Sequence, residues 1–131
     1  MTVPTDKITI LLVEDDKFLR DLISGKLKQE GYTVVEGVDG DEGLRLLKEK
    51  QPSIVLLDLV IPGFDGFELL KTAKGDTSVS AIPIIVLSNL GAKEDIDKAM
   101  ALGAHDFLVK AHYTPAEIVQ TVKDIIQKAY N

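Results

Sequence analysis

Cysteine and tryptophan are absent from this chain of 131 residues, and aromatic residues make up only 5% of it. Without cysteine, disulfide bonds, thiol nucleophiles and cysteine-ligated metal centres are excluded. Basic residues are also in the minority, because 15 lysines and arginines face 21 acidic residues and leave a net charge of −6. The chain therefore lacks the basic surface of a direct nucleic-acid binder, and we expect any effect on DNA to require a partner.

Long hydrophobic runs are missing too, although 45% of the residues are hydrophobic. The apolar stretches are far shorter than a membrane-spanning helix, so we expect no membrane insertion. The N-terminal segment MTVPTDK lacks the apolar core of a signal peptide, which favours a cytoplasmic location. Residues 1–131 suffice for one hydrophobic core, and we expect a single domain without a second module.

Short β-branched runs alternate with stretches of helical spacing along the chain. The alternation predicts strands at about residues 8–14, 32–37, 53–59, 82–87 and 105–110. Between and after them, apolar residues recur at steps of three and four, which predicts five amphipathic helices. The runs IVLLDLV and IPIIVL are almost continuously apolar, as is typical of parallel strands covered on both faces. The pattern therefore predicts a doubly wound α/β sheet.

The helical stretches carry the side chains predicted to cover this sheet. Gly31 ends the first helix and Pro115 fits the first turn of the fifth. The apolar positions of the first helix are Phe18, Leu19, Leu22, Ile23 and Leu27. Those of the fourth helix are Ile96, Ala99, Met100 and Leu102.

Four of the apolar runs end at a charged or hydroxyl residue. These residues are Glu14 and Asp15 after ITILLV, Asp58 after IVLL, Ser88 after IPIIVL and Lys110 after FLV. Taken singly, the acids and the serine could be turn or helix-cap residues, and the lysine a solvated strand end. If the runs are parallel strands, however, all these side chains meet at the edge where α/β folds place their ligands. Their coincidence favours a common site.

The chemistry of these groups suits phosphoryl transfer. Clustered carboxylates raise one another's pKa values unless positive charge lies between them. Mg²⁺ supplies such charge, since it prefers oxygen ligands and is commonly held by carboxylates together with phosphate oxygens. Lys110 adds a second positive charge, and Asp58 can act as a carboxylate nucleophile. The sequence thus predicts a magnesium-assisted phosphoryl acceptor.

The segments LLVEDD, IVLLDLVIPGFDGFELL, IIVLS and DFLVK resemble the motifs of response-regulator receiver domains in two-component signalling, with the family's spacing and over essentially the whole chain. The resemblance implies a flavodoxin-like (βα)5 fold with strand order 2-1-3-4-5. It also implies a stand-alone receiver that is a signalling switch rather than a turnover enzyme. A fragment excised from a longer regulator would show the same motifs. The implied partners are a sensor histidine kinase or phosphotransfer protein and a downstream protein target.

The resemblance also implies roles for individual residues. Asp58 would accept the phosphoryl group from the kinase or from a small acyl phosphate, and Ser88 and Lys110 would contact the phosphoryl oxygens. Phe107 would be the aromatic residue whose rotamer follows phosphorylation, which changes the surface formed by the fourth helix, fifth strand and fifth helix. The implied Mg²⁺ ligands are Glu14, Asp15, Asp58 and the backbone carbonyl of Val60.

Three positions depart from the family pattern. Ala111 follows Lys110 where proline is usual, Asn89 follows Ser88 where alanine is common, and Gly43 replaces an alanine of the second helix. A cis peptide before alanine costs roughly 2.5–4 kcal/mol, so we expect the Lys110–Ala111 bond to be trans.

Other functions are less compatible with the sequence. A phosphatase that uses Asp58 would need a second acid nearby, and Val60 occupies the obvious position. A nucleotide or flavin module would need a glycine-rich loop after the first strand, where VEDDKF offers acids instead. A degenerate receiver that acts as a phosphorylation-independent interaction module stays open as the alternative, although all the chemical positions are filled.

Overall fold

One sheet of five parallel strands forms the centre of the computed structural model, which describes residues 4–130. The strands are β1 Thr9–Val13, β2 Thr33–Gly37, β3 Ile54–Leu57, β4 Ile84–Ser88 and β5 Asp106–Val109. The helices are α1 Lys17–Gln29, α2 Gly40–Lys50, α3 Gly66–Gly75, α4 Lys93–Ala101 and α5 Pro115–Tyr130. The sheet order is β2-β1-β3-β4-β5, which confirms the predicted flavodoxin-like topology.

Helices cover both faces of the sheet, and each face has its own hydrophobic cluster. On β1, Ile10 and Leu12 belong to the cluster beneath α1 and α5, whereas Leu11 and Val13 belong to the cluster beneath α2, α3 and α4. Successive side chains of a strand point to opposite faces, so a strand buried on both sides must be apolar at every position. The central strands therefore read as continuous apolar runs.

Side-chain caps fix where four of the helices begin. Asp16, Asp39 and Asp65 accept hydrogen bonds from the first free amides of α1, α2 and α3. At α5, Thr114 and Glu117 exchange side chain-to-backbone hydrogen bonds in a capping box. These caps place the start of each helix next to the carboxyl end of the preceding strand.

Some apolar residues predicted to cover the sheet face solvent instead. Phe18 is 78% exposed, and Leu22 and Met100 are also exposed. In α1 the buried apolar residues are Ile23 and Leu27, so the face that contacts the sheet is narrower than the sequence pattern suggested. An apolar side chain is buried only if the rotation of its helix about the helix axis brings that side chain over the sheet. The spacing of apolar residues along the sequence does not determine this rotation uniquely.

Two further expectations concern backbone and hydropathy. The Lys110–Ala111 peptide is trans, as predicted, because no peptide bond among residues 4–130 is cis. Instead of a proline turn, Lys110–His112 form a short 3-10 helix after β5. None of the helices within residues 4–130 is long and apolar enough to cross a membrane.

Candidate functional site

The strand register brings the predicted site residues to one edge of the sheet. Val13 and Leu57, the last residues of β1 and β3, are paired. Glu14 and Asp58 follow them directly, and the Asp58 amide donates to the Val13 carbonyl at 3.0 Å. Two acids 44 positions apart in sequence thus lie side by side because their strands are neighbours.

Lys110 binds both of these carboxylates. Its Nζ atom lies 2.8 Å from Asp58 Oδ2 and 2.7 Å from Glu14 Oε1. The three side chains are mostly buried, with exposed fractions of 14% for Lys110, 6% for Asp58 and 1% for Glu14. The Lys110 ammonium group lies between two buried carboxylates. Its positive charge offsets part of the free-energy cost of burying their negative charges.

The same environment perturbs two ionisation equilibria. Burial raises the pKa of Glu14, and the Lys110 ammonium counteracts that effect only in part. Burial by itself would lower the pKa of Lys110, but hydrogen bonds and attraction from Asp58 and Glu14 outweigh it and raise the pKa. Lys110 is therefore firmly protonated at neutral pH.

The acidic edge has the donor set that a hard divalent cation requires. Carboxylate oxygens of Glu14, Asp15 and Asp58 all lie within 4.8 Å of one another. Glu14 Oε1 is buried and, among residues 4–130, has no hydrogen-bond partner of good geometry, although it forms the ion pair with Lys110. Asp15 is exposed, which leaves a path for an ion from solvent. This set of carboxylate oxygens, including Glu14 Oε1 with its unfilled hydrogen-bonding capacity, fits Mg²⁺.

An open cavity of about 310 Å³ lies over these acids. Its lining residues are Glu14, Asp15, Asp16, Asp58, Val60, Asn89 and Lys110.

Ser88 and Phe107, two further predicted site residues, do not line this cavity. Ser88 ends β4, is completely buried, and its hydroxyl accepts a hydrogen bond from the Leu90 amide at 3.3 Å. The hydroxyl proton is not used in that contact and remains available to a new acceptor. Phe107 is half-buried on β5 and packs against the cluster beneath α2, α3 and α4.

The loop between β3 and α3 holds the second oxygen of Asp58. The Val60 amide donates to Asp58 Oδ1 at 3.1 Å, so both carboxylate oxygens have a partner. The Val60 side chain is 59% exposed. Val60 also lines the cavity, so an exposed apolar residue borders the site.

Two further residues contact the site: Asn89, which the sequence marked as a departure from the family pattern, and Arg20, which sequence reasoning missed. Asn89 lines the cavity, and Arg20 donates to the backbone carbonyls of Glu14 and Asp15. A basic residue four positions after the Asp16 cap was the available signal for Arg20, since it returns to the start of the helix. At Gly43, a Cβ would stand 3.0 Å from both methyl groups of Val13, so glycine accommodates that neighbour where an alanine is usual.

Sequence comparisons relate this chain to a known family and to curated relatives. The response regulator receiver domain family matches residues 10–123. The phosphate regulon transcriptional regulatory protein PhoB of Escherichia coli K12 is 32% identical over 119 residues, which are 91% of this chain and 52% of PhoB. The chain thus spans about half the length of the curated relatives it matches.

Solved structures show the same fold. The BeF3-activated receiver domain of Klebsiella pneumoniae RstA superposes with a TM-score of 0.82 at 28% identity and covers 91% of this chain and 98% of its own. The Mn²⁺-bound form of response regulator Rcp1 superposes with a TM-score of 0.83 at 25% identity and covers 95% and 97% of the two chains.

Proposed function

Because the chain belongs to the response regulator receiver domain family of two-component signalling, we propose that Asp58 accepts a phosphoryl group from a histidine kinase or a small acyl phosphate. Receiver domains are signalling modules, not turnover enzymes, and they bind Mg²⁺ at an acidic pocket. The observation that supports the proposal best is the Asp58 carboxylate, buried at a strand end between Lys110, Val60 and two further acids.

In the proposed reaction, a carboxylate oxygen of Asp58 attacks phosphorus. The new bond joins Asp58 to phosphorus, while the bond from phosphorus to the donor's nitrogen or oxygen breaks and its electron pair leaves with the donor. Catalysis of this kind depends mainly on positioning and charge neutralisation. The Val60 amide and Lys110 fix the carboxylate in one orientation before the donor arrives.

Charge neutralisation comes from two sources. Glu14, Asp15, Asp58 and the backbone carbonyl of Val60 would hold Mg²⁺, which would neutralise the growing negative charge on the phosphoryl oxygens. Lys110 stays protonated and can turn from Glu14 and Asp58 towards a phosphoryl oxygen by its flexible stem. Two structural neighbours fit this chemistry, since the RstA receiver domain is BeF3-activated and the Rcp1 structure is a Mn²⁺-bound form.

The signal would leave the site through Ser88 and Phe107. Ser88 would exchange its contact with the Leu90 amide for a phosphoryl oxygen, and Phe107 would follow by a change of rotamer. The surface of α4, β5 and α5 would then bind a downstream protein. Autodephosphorylation would return the switch to its resting state. We also propose that residues 1–131 form one receiver domain. We expect this domain to lie in the cytoplasm.

Intact mass after incubation with acetyl phosphate and Mg²⁺ tests the phosphoacceptor. We expect one added phosphoryl group on the wild type and on Asp97→Asn, an exposed control on α4, and none on Asp58→Asn. Unchanged labelling of Asp58→Asn would overturn the site assignment. No labelling of the wild type would instead favour a phosphorylation-independent interaction module.

A further inference from the structure

We propose that Arg20 is a positioning residue for the turn that carries the acidic Mg²⁺ ligands. The inference rests on the proposed function, because it concerns how the chain holds Glu14 and Asp15 ready for the cation. Arg20 lies in the first turns of α1, and its side chain is only 11% exposed. It is thus a largely buried cation that the proposed reaction does not use directly.

Arg20 contacts the acidic turn through its backbone. Its Nη1 atom donates to the Glu14 carbonyl at 2.8 Å and lies 3.3 Å from the Asp15 carbonyl. Neither contact involves the carboxylate of Glu14 or Asp15. The guanidinium therefore fixes the path of the turn while leaving these side chains available to Lys110 and to a cation.

The guanidinium makes a second, weaker contact, an ion pair with Glu36, while its Nε atom has no hydrogen-bond partner among residues 4–130. Its Nε atom lies 3.4 Å from Glu36 Oε2 on β2, the strand beside β1. Because the guanidinium is rigid and planar, attraction of its Nε edge to Glu36 favours the orientation in which Nη1 faces the turn. Arg20 thereby links the acidic turn to the sheet on the side away from Asp58.

A purely structural role predicts a different balance of contacts. If Arg20 only tied α1 to β2, the Glu36 pair would be its main interaction, yet that pair is longer than the Glu14 contact and Glu36 is 32% exposed. Partly exposed ion pairs contribute little. Outer contacts that orient metal ligands, in contrast, typically change metal affinity by about 10–100-fold when they are removed.

Mg²⁺ titration of the metal-free protein by calorimetry tests the inference without any phosphorylation. Arg20→Lys keeps the positive charge but lacks the planar fork, and we expect it to raise the Kd for Mg²⁺ about tenfold. Arg45→Lys is the matched control, because Arg45 is exposed and forms ion pairs with Glu42 and Glu49 on its own helix α2. Tyr130→Phe controls for lost stability, since it removes a hydrogen bond to Ser53 at the opposite end of β3. Both controls should keep the wild-type Kd.

A second readout reports position rather than affinity. In metal-free Arg20→Lys, the backbone amide NMR signals of Glu14, Asp15 and Asp16 should shift, whereas they should stay in place in Tyr130→Phe. Glu36→Gln neutralises the carboxylate that attracts Nε and should raise the Mg²⁺ Kd about twofold, as for a weak ion pair. If Arg20→Lys does not fold, Glu36→Gln provides the test of the positioning role instead.

The outcomes separate this inference from the proposed function. A wild-type Kd in Arg20→Lys, or in Glu36→Gln where only that variant folds, overturns the positioning role alone. An equal loss of affinity in Tyr130→Phe does the same, because it would show that general destabilisation weakens the site. If the wild type binds no Mg²⁺, or if Asp15→Asn binds it as well as the wild type, both the proposed metal site and the role of Arg20 are wrong.

Discussion

Gly40 at the start of α2 lies so close to Phe64 that a Cβ on Gly40 would stand 1.6 Å from the Phe64 carbonyl oxygen. The Gly40 amide also donates to the Pro62 carbonyl at 3.0 Å. Both partners belong to the loop that begins with Asp58 and Val60 and leads into α3. The beginning of α2 therefore determines where this loop runs, and with it the amide that holds Asp58 Oδ1.

Gly40→Ala should destabilise the protein, because the added methyl group must displace backbone rather than a flexible side chain. We expect a loss of about 1–3 kcal/mol in the free energy of unfolding, measured by urea denaturation. Gly25→Ala is the control, since nothing lies within 4 Å of its Cβ position in the middle of α1. That change should stabilise the protein by roughly 0.5–1 kcal/mol. Equal stability of both variants would show that the loop moves freely.

Asp15→Ala and Asp16→Ala should separate metal binding from helix capping. Loss of a direct ligand in Asp15→Ala should weaken Mg²⁺ binding by about tenfold or more, at least the effect of an outer contact. Asp16 accepts from the Leu19 amide as the cap of α1, so Asp16→Ala should cost about 1 kcal/mol of stability instead. Calorimetric Mg²⁺ titration and urea denaturation measure the two effects. Equal loss of metal affinity in both would mean that the acidic pair is misassigned.

The phosphorylated state should be long-lived, since neither Val60 nor Leu90 has a polar group to orient an attacking water. Because Val60 is exposed, we attribute the expected stability to this missing polar group rather than to shielding. Val60→Asn should shorten the half-life of the phosphoryl group severalfold, followed by intact mass after removal of acetyl phosphate. Val38→Asn, at another exposed apolar loop position, should leave it unchanged. A sharply longer half-life in Val60→Asn would contradict the explanation.

Phosphorylation should change amide exchange mainly in α4, β5 and α5. Ala99 is the buried residue of α4, and a Lys98 ammonium 4.2 Å above the Phe67 ring ties that helix to α3. Because few contacts hold α4 against the rest of the protein, we expect this helix to move when the Ser88 hydroxyl changes its hydrogen-bond partner. Ser88 lies shortly before α4 in the chain. Hydrogen exchange read by mass spectrometry, with and without acetyl phosphate, measures the response. A change restricted to α1 and α2 would argue against this surface.

The sequence alone determined the elements and the residues at their ends. Period-two and period-3.6 patterns depend on neighbours a few positions away, so they predicted five strands and the helices between and after them. Asp58 stood out because an acid interrupts an apolar run, and Glu14 because it ends another. Parallel strands then required both to lie at one edge, where the structure has them.

Only the tertiary structure decided which side chains touch. Lys110 and Asp58 are 52 positions apart, and their contact depends on the order of β3, β4 and β5 in the sheet. The exposure of Phe18 depends on the rotation of α1, and the contact of Gly40 with Phe64 on the packing of two loops. The spacing of Arg20 from the Asp16 cap suggests only that its side chain returns to the start of α1, and its contact with the carbonyls of Glu14 and Asp15 depends on where the turn after β1 runs. Such contacts follow from the path of the whole chain, which local periodicity does not encode.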